Sequence, residues 1–157
     1  MTVYTHRDVN VLAIETSCDE TACSIVRNGR EVLSNAIFTQ MHIHREYGGV
    51  VPEIASRNHL EKINDVVDKA ILDAGLHKED IDVIAVTSTP GLIGALVVGV
   101  ATAKTMAYAL SKPLVGVHHI AGHIAANYLD HRELEPPFIS LVISGGHTSV
   151  IDVKDYN

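Results

Sequence analysis

"VNVLAIETSCDETACSIVRNGREVLSNAIFTQ", residues 9–40, decides the fold class. "VNVLAIE" (9–15) is a nearly continuous apolar run, as expected of a strand covered on both faces. "TSCDET" (16–21) is a polar turn. "ACSIVRNGREVLSNAIFTQ" (22–40) then reads as two strands joined at Asn28-Gly29, a dipeptide that takes the positive φ angles of a tight hairpin. A covered strand that feeds a hairpin begins a sheet.

Downstream, "HIHREYGGVVPE" (42–53) reads as a loop. From Pro52 to about Ala74, Ile54, Leu60, Ile63, Val66, Val67, Ala70 and Ile71 recur at helical spacing, and Gly75 supplies the stop. "IDVIAVTS" (81–88) is a second buried strand, which "TPGL" (89–92) turns into the helix "IGALVVGVATAKTMAYALS". Pro113 opens the short strand "LVGV", followed by a helix in "VHHIAGHIAANYL" (117–129). "FISLVIS" (138–144) and "SVIDV" (149–153) are strands joined by "GGHT". Strands alternating with helices predict an α/β fold whose sheet is mixed, mostly parallel and flanked by helices.

"VLAIETSCDETACSIV" and "ISLVISGGHTSVIDV" share one layout of apolar strand, small polar turn and second strand. That echo predicts two related lobes facing a cleft, with turns able to offer backbone N–H groups to an anion. The expected division is 1–133 for the first lobe and 134–157 for the opening hairpin of a second. A lone hairpin is marginally stable, so the chain reads as the first half of a longer protein.

Composition narrows the function classes. Apolar residues make up 46% of 157, which excludes disorder, and a formal charge of −7 argues against a general electrostatic grip on nucleic acid. "MTVYTHRDVN" lacks a signal pattern, and Gly91–Ala103 is short and glycine-interrupted, so a buried helix is expected there and no membrane span. Cys18 and Cys23 read as reduced thiols in a cytoplasmic protein.

His119 and His123 stand four apart, about one helical turn, so their imidazoles point the same way. Among 10 histidines one such pair is unremarkable, and a surface or helix-capping pair is the plain alternative to metal ligands. A zinc-protease helix needs Glu directly after the first His, and Ile120 stands there. In "SGGHT" the glycines serve a hairpin turn or admit a ligand close to the backbone. Asp19 either is solvated or orients a metal-bound water or a phosphate, for which it needs a cation or donor nearby.

"AIETSCDET", "YGGVVPEIASRNH", "PGLIGALVVG", "VHHIAGHIAA" and "VISGGHTS" occur in this order in the tRNA threonylcarbamoyladenosine transferase family, TsaD, formerly called O-sialoglycoprotein endopeptidases, and the chain resembles that family from Val9 onward. The resemblance implies an actin-like (ribonuclease H-like) two-lobed ATPase-type fold in a cytoplasmic protein. It implies transfer of threonylcarbamoyl from threonylcarbamoyl-adenylate to N6 of the adenosine 3′ of the anticodon. It also implies TsaB-like and TsaE-like partners, a divalent metal (iron or zinc), and threonylcarbamoyl-adenylate or ATP as ligand. His119 and His123 match the family's metal-binding histidines, Val142, Ile143, Ser144, Gly145 and Gly146 its substrate-binding turn, while Asp19 and Glu20 lie in the first signature turn. Ala121, where some members have Glu, and Thr89, in place of Gly, depart from the pattern without touching these ligands. Members run to about twice this length, and their third metal ligand, an Asp, lies in the half this chain lacks. Two other functions compete: a metalloprotease, weakened by Ile120, and a non-catalytic TsaB-like scaffold, expected to lack the histidine pair. This chain alone is expected to bind metal weakly, to be inactive, and to pair as a homodimer through the apolar face of its last hairpin, Ile139, Leu141, Ile143 and Val150.

Overall fold

The computed structural model describes residues 7–144 and 148–156. The chain divides into two compact units, Met1–His119 and Ile120–Asn157.

The larger unit is built on a five-stranded sheet of order β3-β2-β1-β4-β5. Its strands are β1 (Asn10–Glu15), β2 (Glu20–Arg27), β3 (Glu31–Thr39), β4 (Val83–Thr89) and β5 (Leu114–His118). Asn28 and Gly29 take φ of 53° and 69°, which closes the β2–β3 hairpin as the dipeptide predicts. The sheet is mixed, as expected. Its pairings are evenly divided, however: β1–β2 and β2–β3 are antiparallel, β1–β4 and β4–β5 parallel. The hairpin consumes strands that simple alternation would have assigned to crossovers.

Two helices cover one face, α2 (Pro52–Asp73) against β2 and β3, and α3 (Ile93–Leu110) against β4, with α2 and α3 touching each other. Leu12, Ile14, Cys23, Ile25, Ile84 and Val86 meet Ile63, Val66, Val67, Ala70 and Ile71 of α2 in the core. Cover on both faces of β1 is not found: Leu12 and Ile14 are buried, while Val11 and Ala13 on the other face are only half-buried. The segment read as a loop holds a short helix, α1 (Met41–Arg45), tied down by buried His44, whose Nε2 lies 3.1 Å from Gln40 Oε1. Five residues are too few to show a period.

Ala95, Gly99, Ala103 and Ala107 form the buried stripe of α3. Four-residue spacing keeps these small side chains in one row, which lets the helix lie close to the sheet. Only that stripe meets the expectation of a buried helix. Ile93, Val97 and Tyr108 are exposed, and by length and composition alone α3 would suffice to cross a membrane.

The glycines of "PGLIGALVVG" are where backbone passes tightly. A Cβ on Gly91 would sit 2.7 Å from both Cβ and O of Ser17, and one on Gly99 would sit within 2.4 Å of Thr16 Oγ1.

In the smaller unit, α4 (His119–Ala125, whose first residue belongs to the larger unit) and α5 (Asn127–Asp130) precede an antiparallel hairpin of β6 (Phe138–Ile143) and β7 (Thr148–Val153). Tyr128 of α5 packs edge-on to Phe138 with ring centroids 6.0 Å apart.

Gly91→Ala should lower stability by about 1–3 kcal/mol, because the backbone of Ser17 cannot yield as a side-chain tip can. Gly122→Ala, with nothing within 4 Å of the new methyl, should be neutral or slightly stabilising. Urea unfolding midpoints of the two variants check the contrast.

Candidate functional site

The turn Thr16–Asp19 between β1 and β2 is pinned from several sides. Thr16 is fully buried and its hydroxyl donates to Ala95 O at 2.8 Å. The Ser17 carbonyl accepts from Leu92 N–H at 2.8 Å, which joins the turn to the start of α3. Asp19 O accepts from Gln40 N–H at 3.1 Å.

His59 of α2 holds the remaining side. It is 0% exposed, with Nε2 3.0 Å from Cys18 O and Nδ1 2.7 Å from Thr21 Oγ1. A carbonyl can only accept, so Nε2 carries the proton and the Thr21 hydroxyl donates to Nδ1, an assignment made from the network. Burial lowers the pKa of His59, against the opposing pull of the Cys18 carbonyl and of Glu15 and Asp19. Among the described residues every buried side-chain nitrogen and oxygen has a partner.

Both cysteines are free, as expected. Burial, reinforced by Asp19, pushes the Cys18 thiol up to about 11, and burial alone takes Cys23 to about 12. Both thiols are therefore held protonated near neutrality.

Asp19 lines a depression of about 400 Å³ together with Met41, His44, Arg45 and Gly48 to Val50. The first signature turn and the "YGGV" segment therefore share one wall. Glu20 opens β2 instead, where its Oε1 accepts from the Thr39 hydroxyl at 3.3 Å.

His119 opens α4 and His123 lies in its last turn, so the helical spacing read from the sequence is present. The ring of His119 is tied to the first signature turn. Nδ1 lies 3.1 Å from Ser17 Oγ and 3.4 Å from Glu15 Oε2. The other carboxylate oxygen of Glu15 accepts the Ser17 backbone N–H. Burial pushes the pKa of Glu15 up, but the hydroxyls of Ser17 and Thr87, the Ser17 N–H and nearby His119 more than offset it and hold the group below the usual carboxylate value. Among the described residues no group of three or more His, Cys, Asp or Glu is arranged to hold a metal ion. His119 and His123 are the two imidazoles that α4 carries.

In the smaller unit, Val142 and Ile143 point to opposite faces of β6, 8% and 71% exposed, and Ser144 follows at the surface. Gly145 and Gly146 of the expected substrate turn, with His147, lie outside the described residues.

Glu15, Ser17 and His59 were not picked out in the sequence. His59 left a signal, since it stands in phase with Ala55, Ile63, Val66 and Ala70 on the buried stripe of α2, where a polar residue demands a partner. Glu15 left a weaker one as the single charge at the end of an apolar strand.

A sequence model of the family described as "TsaD: tRNA N6-adenosine threonylcarbamoyltransferase" matches residues 31–157. A curated relative of that name from Clostridium perfringens (strain SM101 / Type A) is 62% identical over 146 residues, 93% of this chain and 43% of the relative. Another, from Clostridioides difficile (strain 630), is 59% identical over 149 residues, 95% of this chain and 44% of the relative. The chain thus spans under half the length of these relatives and matches their N-terminal part. Among solved structures, YeaZ from Pseudomonas aeruginosa aligns with a TM-score of 0.60 over 92% of this chain and 65% of that one, at 16% identity. That likeness is one of fold, and it bears out the α/β expectation of a mixed sheet flanked by helices.

A histidine whose folded pKa is lowered binds fewer protons folded than unfolded. Stability should then be full above the ordinary histidine value of about 6.5 and should decline as pH falls below it. Substituting His59→Gln should cost about 1–3 kcal/mol near neutrality and remove this share of the acid sensitivity. Urea midpoints of both proteins at about pH 7.5 and 5.5 give the comparison.

Proposed function

The chain belongs to the tRNA N6-adenosine threonylcarbamoyltransferase family, TsaD, and on that premise we propose that it forms the N-terminal part of an enzyme that transfers threonylcarbamoyl from threonylcarbamoyl-adenylate to N6 of the adenosine 3′ of the anticodon. One observation carries this reading. The 3.1 Å approach of Ser17 Oγ to His119 Nδ1 joins two motifs that lie far apart in the sequence, "AIETSCDET" and "VHHIAGHIAA".

His119 and His123 would each offer a neutral imidazole nitrogen to one divalent ion, iron or zinc. When bound, that ion supplies Lewis-acid polarisation of the carbamoyl carbonyl or orients the adenylate phosphate. Asp19, on the wall of its depression, would face the phosphate end of the ligand or a water near it. The pinned backbone of Thr16–Asp19 keeps that carboxylate from swinging with the substrate. Val142, Ile143, Ser144, Gly145 and Gly146 would form the acyl-adenylate turn, with ATP as an alternative occupant. tRNA, TsaB-like and TsaE-like proteins would be the partners of a cytoplasmic enzyme that does not enter a membrane. Ile120, in the place of a protease base, weighs against peptide hydrolysis.

A chimera in which this chain replaces the matching segment of the Clostridium perfringens relative, assayed with TsaB-like and TsaE-like partners, should modify the tRNA adenosine. His119→Ala or His123→Ala should lower that activity by about 100-fold or more. Glycoprotein hydrolysis by the metal-loaded chimera without tRNA modification would overturn the proposal.

We also propose that two copies of this chain pair through the hairpin. Ile139, Leu141, Ile143 and Val150 are 60–72% exposed, and covering roughly 400 Å² of such surface is worth on the order of 10 kcal/mol before association costs. Light scattering over a concentration series should show a dimer. A strict monomer would refute the pairing.

A further inference from the structure

We infer that Glu15 is a positioning residue for His119: with the Ser17 hydroxyl it holds the imidazole as the Nδ1–H tautomer, which places the lone pair on Nε2 for a metal ion. This inference rests on the metal-binding reading of His119 above. The geometry bears on it through three contacts. His119 Nδ1 lies 3.1 Å from Ser17 Oγ and 3.4 Å from Glu15 Oε2, and Glu15 Oε1 accepts the Ser17 backbone N–H. An ionised carboxylate only accepts, so the ring nitrogen facing it carries the proton. Placing the proton on Nε2 instead would set the lone pair of Nδ1 against that of the carboxylate. A histidine whose outer nitrogen donates to a carboxylate is fixed in ring orientation and is a more basic ligand at the inner one.

The arrangement is rigid because Ser17 serves both partners. Its N–H orients one carboxylate oxygen, its hydroxyl reaches the ring, and its carbonyl is tied to Leu92 N–H at 2.8 Å. A side chain at position 91 would press against it, since a Cβ there would meet Ser17 at 2.7 Å.

Glu15→Gln makes the test sharp. The Ser17 N–H still needs an acceptor at Oε1, so the amide NH₂ must take the position that faces the ring. It would then donate to Nδ1 and force the proton to Nε2, the nitrogen the metal needs. Nitrogen-15 NMR of the metal-free chain should therefore show His119 as Nδ1–H in the wild type and as Nε2–H in Glu15→Gln. Ser17→Ala should keep Nδ1–H, because the carboxylate remains. Titration with Co²⁺, followed by its ligand-field absorption, should give a Kd raised about 10- to 100-fold in Glu15→Gln. In a His119→Ala background the same substitution should change nothing further, whereas a merely structural role would weaken both backgrounds alike.

A wild-type Nε2–H tautomer, an unchanged tautomer in Glu15→Gln, or equal losses with and without His119 would each overturn the inference. If the tautomer responds as expected but Co²⁺ binding is indifferent to His119→Ala, the positioning role stands and the metal reading of His119 fails.

Discussion

A polar turn can be buried only if each of its N–H and C=O groups finds a partner, since every one left unmade costs about 1–3 kcal/mol. The carbonyls of Ser17, Cys18 and Asp19 and the hydroxyl of Thr16 are met from three separate elements. The start of α3 supplies Leu92 N–H and the Ala95 carbonyl, α2 supplies His59, and the residue between β3 and α1, Gln40, supplies its N–H. Each of these elements is placed by its own apolar face, yet their final approach is set by the turn they must all satisfy. The glycines at 91 and 99 make that approach possible, so the motif containing them serves close packing before any ligand is considered.

Most of the fold was legible because it rests on local signals. Asn28-Gly29 closes its hairpin, α2 ends at Asp73 just before the Gly75 stop, and α3 begins at Ile93 just after "TPGL". What failed to show depends on number or distance. Five residues of α1 are too few to display a period, and the direction of β1 relative to its neighbours cannot be counted from alternation alone. The half-open face of β1 escaped notice because an apolar run reads the same whether one face or two are covered.

The candidate site divides along the same line. Helical spacing of His119 and His123 could be read directly, and α4 carries both. The partners of His119 could not, because Ser17 and Glu15 stand more than a hundred residues away in the chain and only folding brings them to the ring. Asp19 proved to belong to a depression it shares with Gly48 and Gly49, while neighbouring Glu20 is engaged on the sheet by Thr39. Adjacent acidic residues in one signature thus have different surroundings, which a motif match treats as one.

The tight passages along α3 bear on how such sequences can drift. Gly94 with Ser56 and Gly99 with Thr16 are steric couples, each with room for one small side chain and none for two, whereas Gly91 is barred by the Ser17 backbone itself. Within each couple, enlargement on one side is tolerable only with shrinkage on the other, so the two positions should evolve by correlated change. The hydroxyl of Thr16 also serves Ala95, so that couple has no free exchange of sizes: a valine there would keep the bulk and lose the bond. Gly99 is therefore the partner with less latitude, although it carries no chemistry of its own.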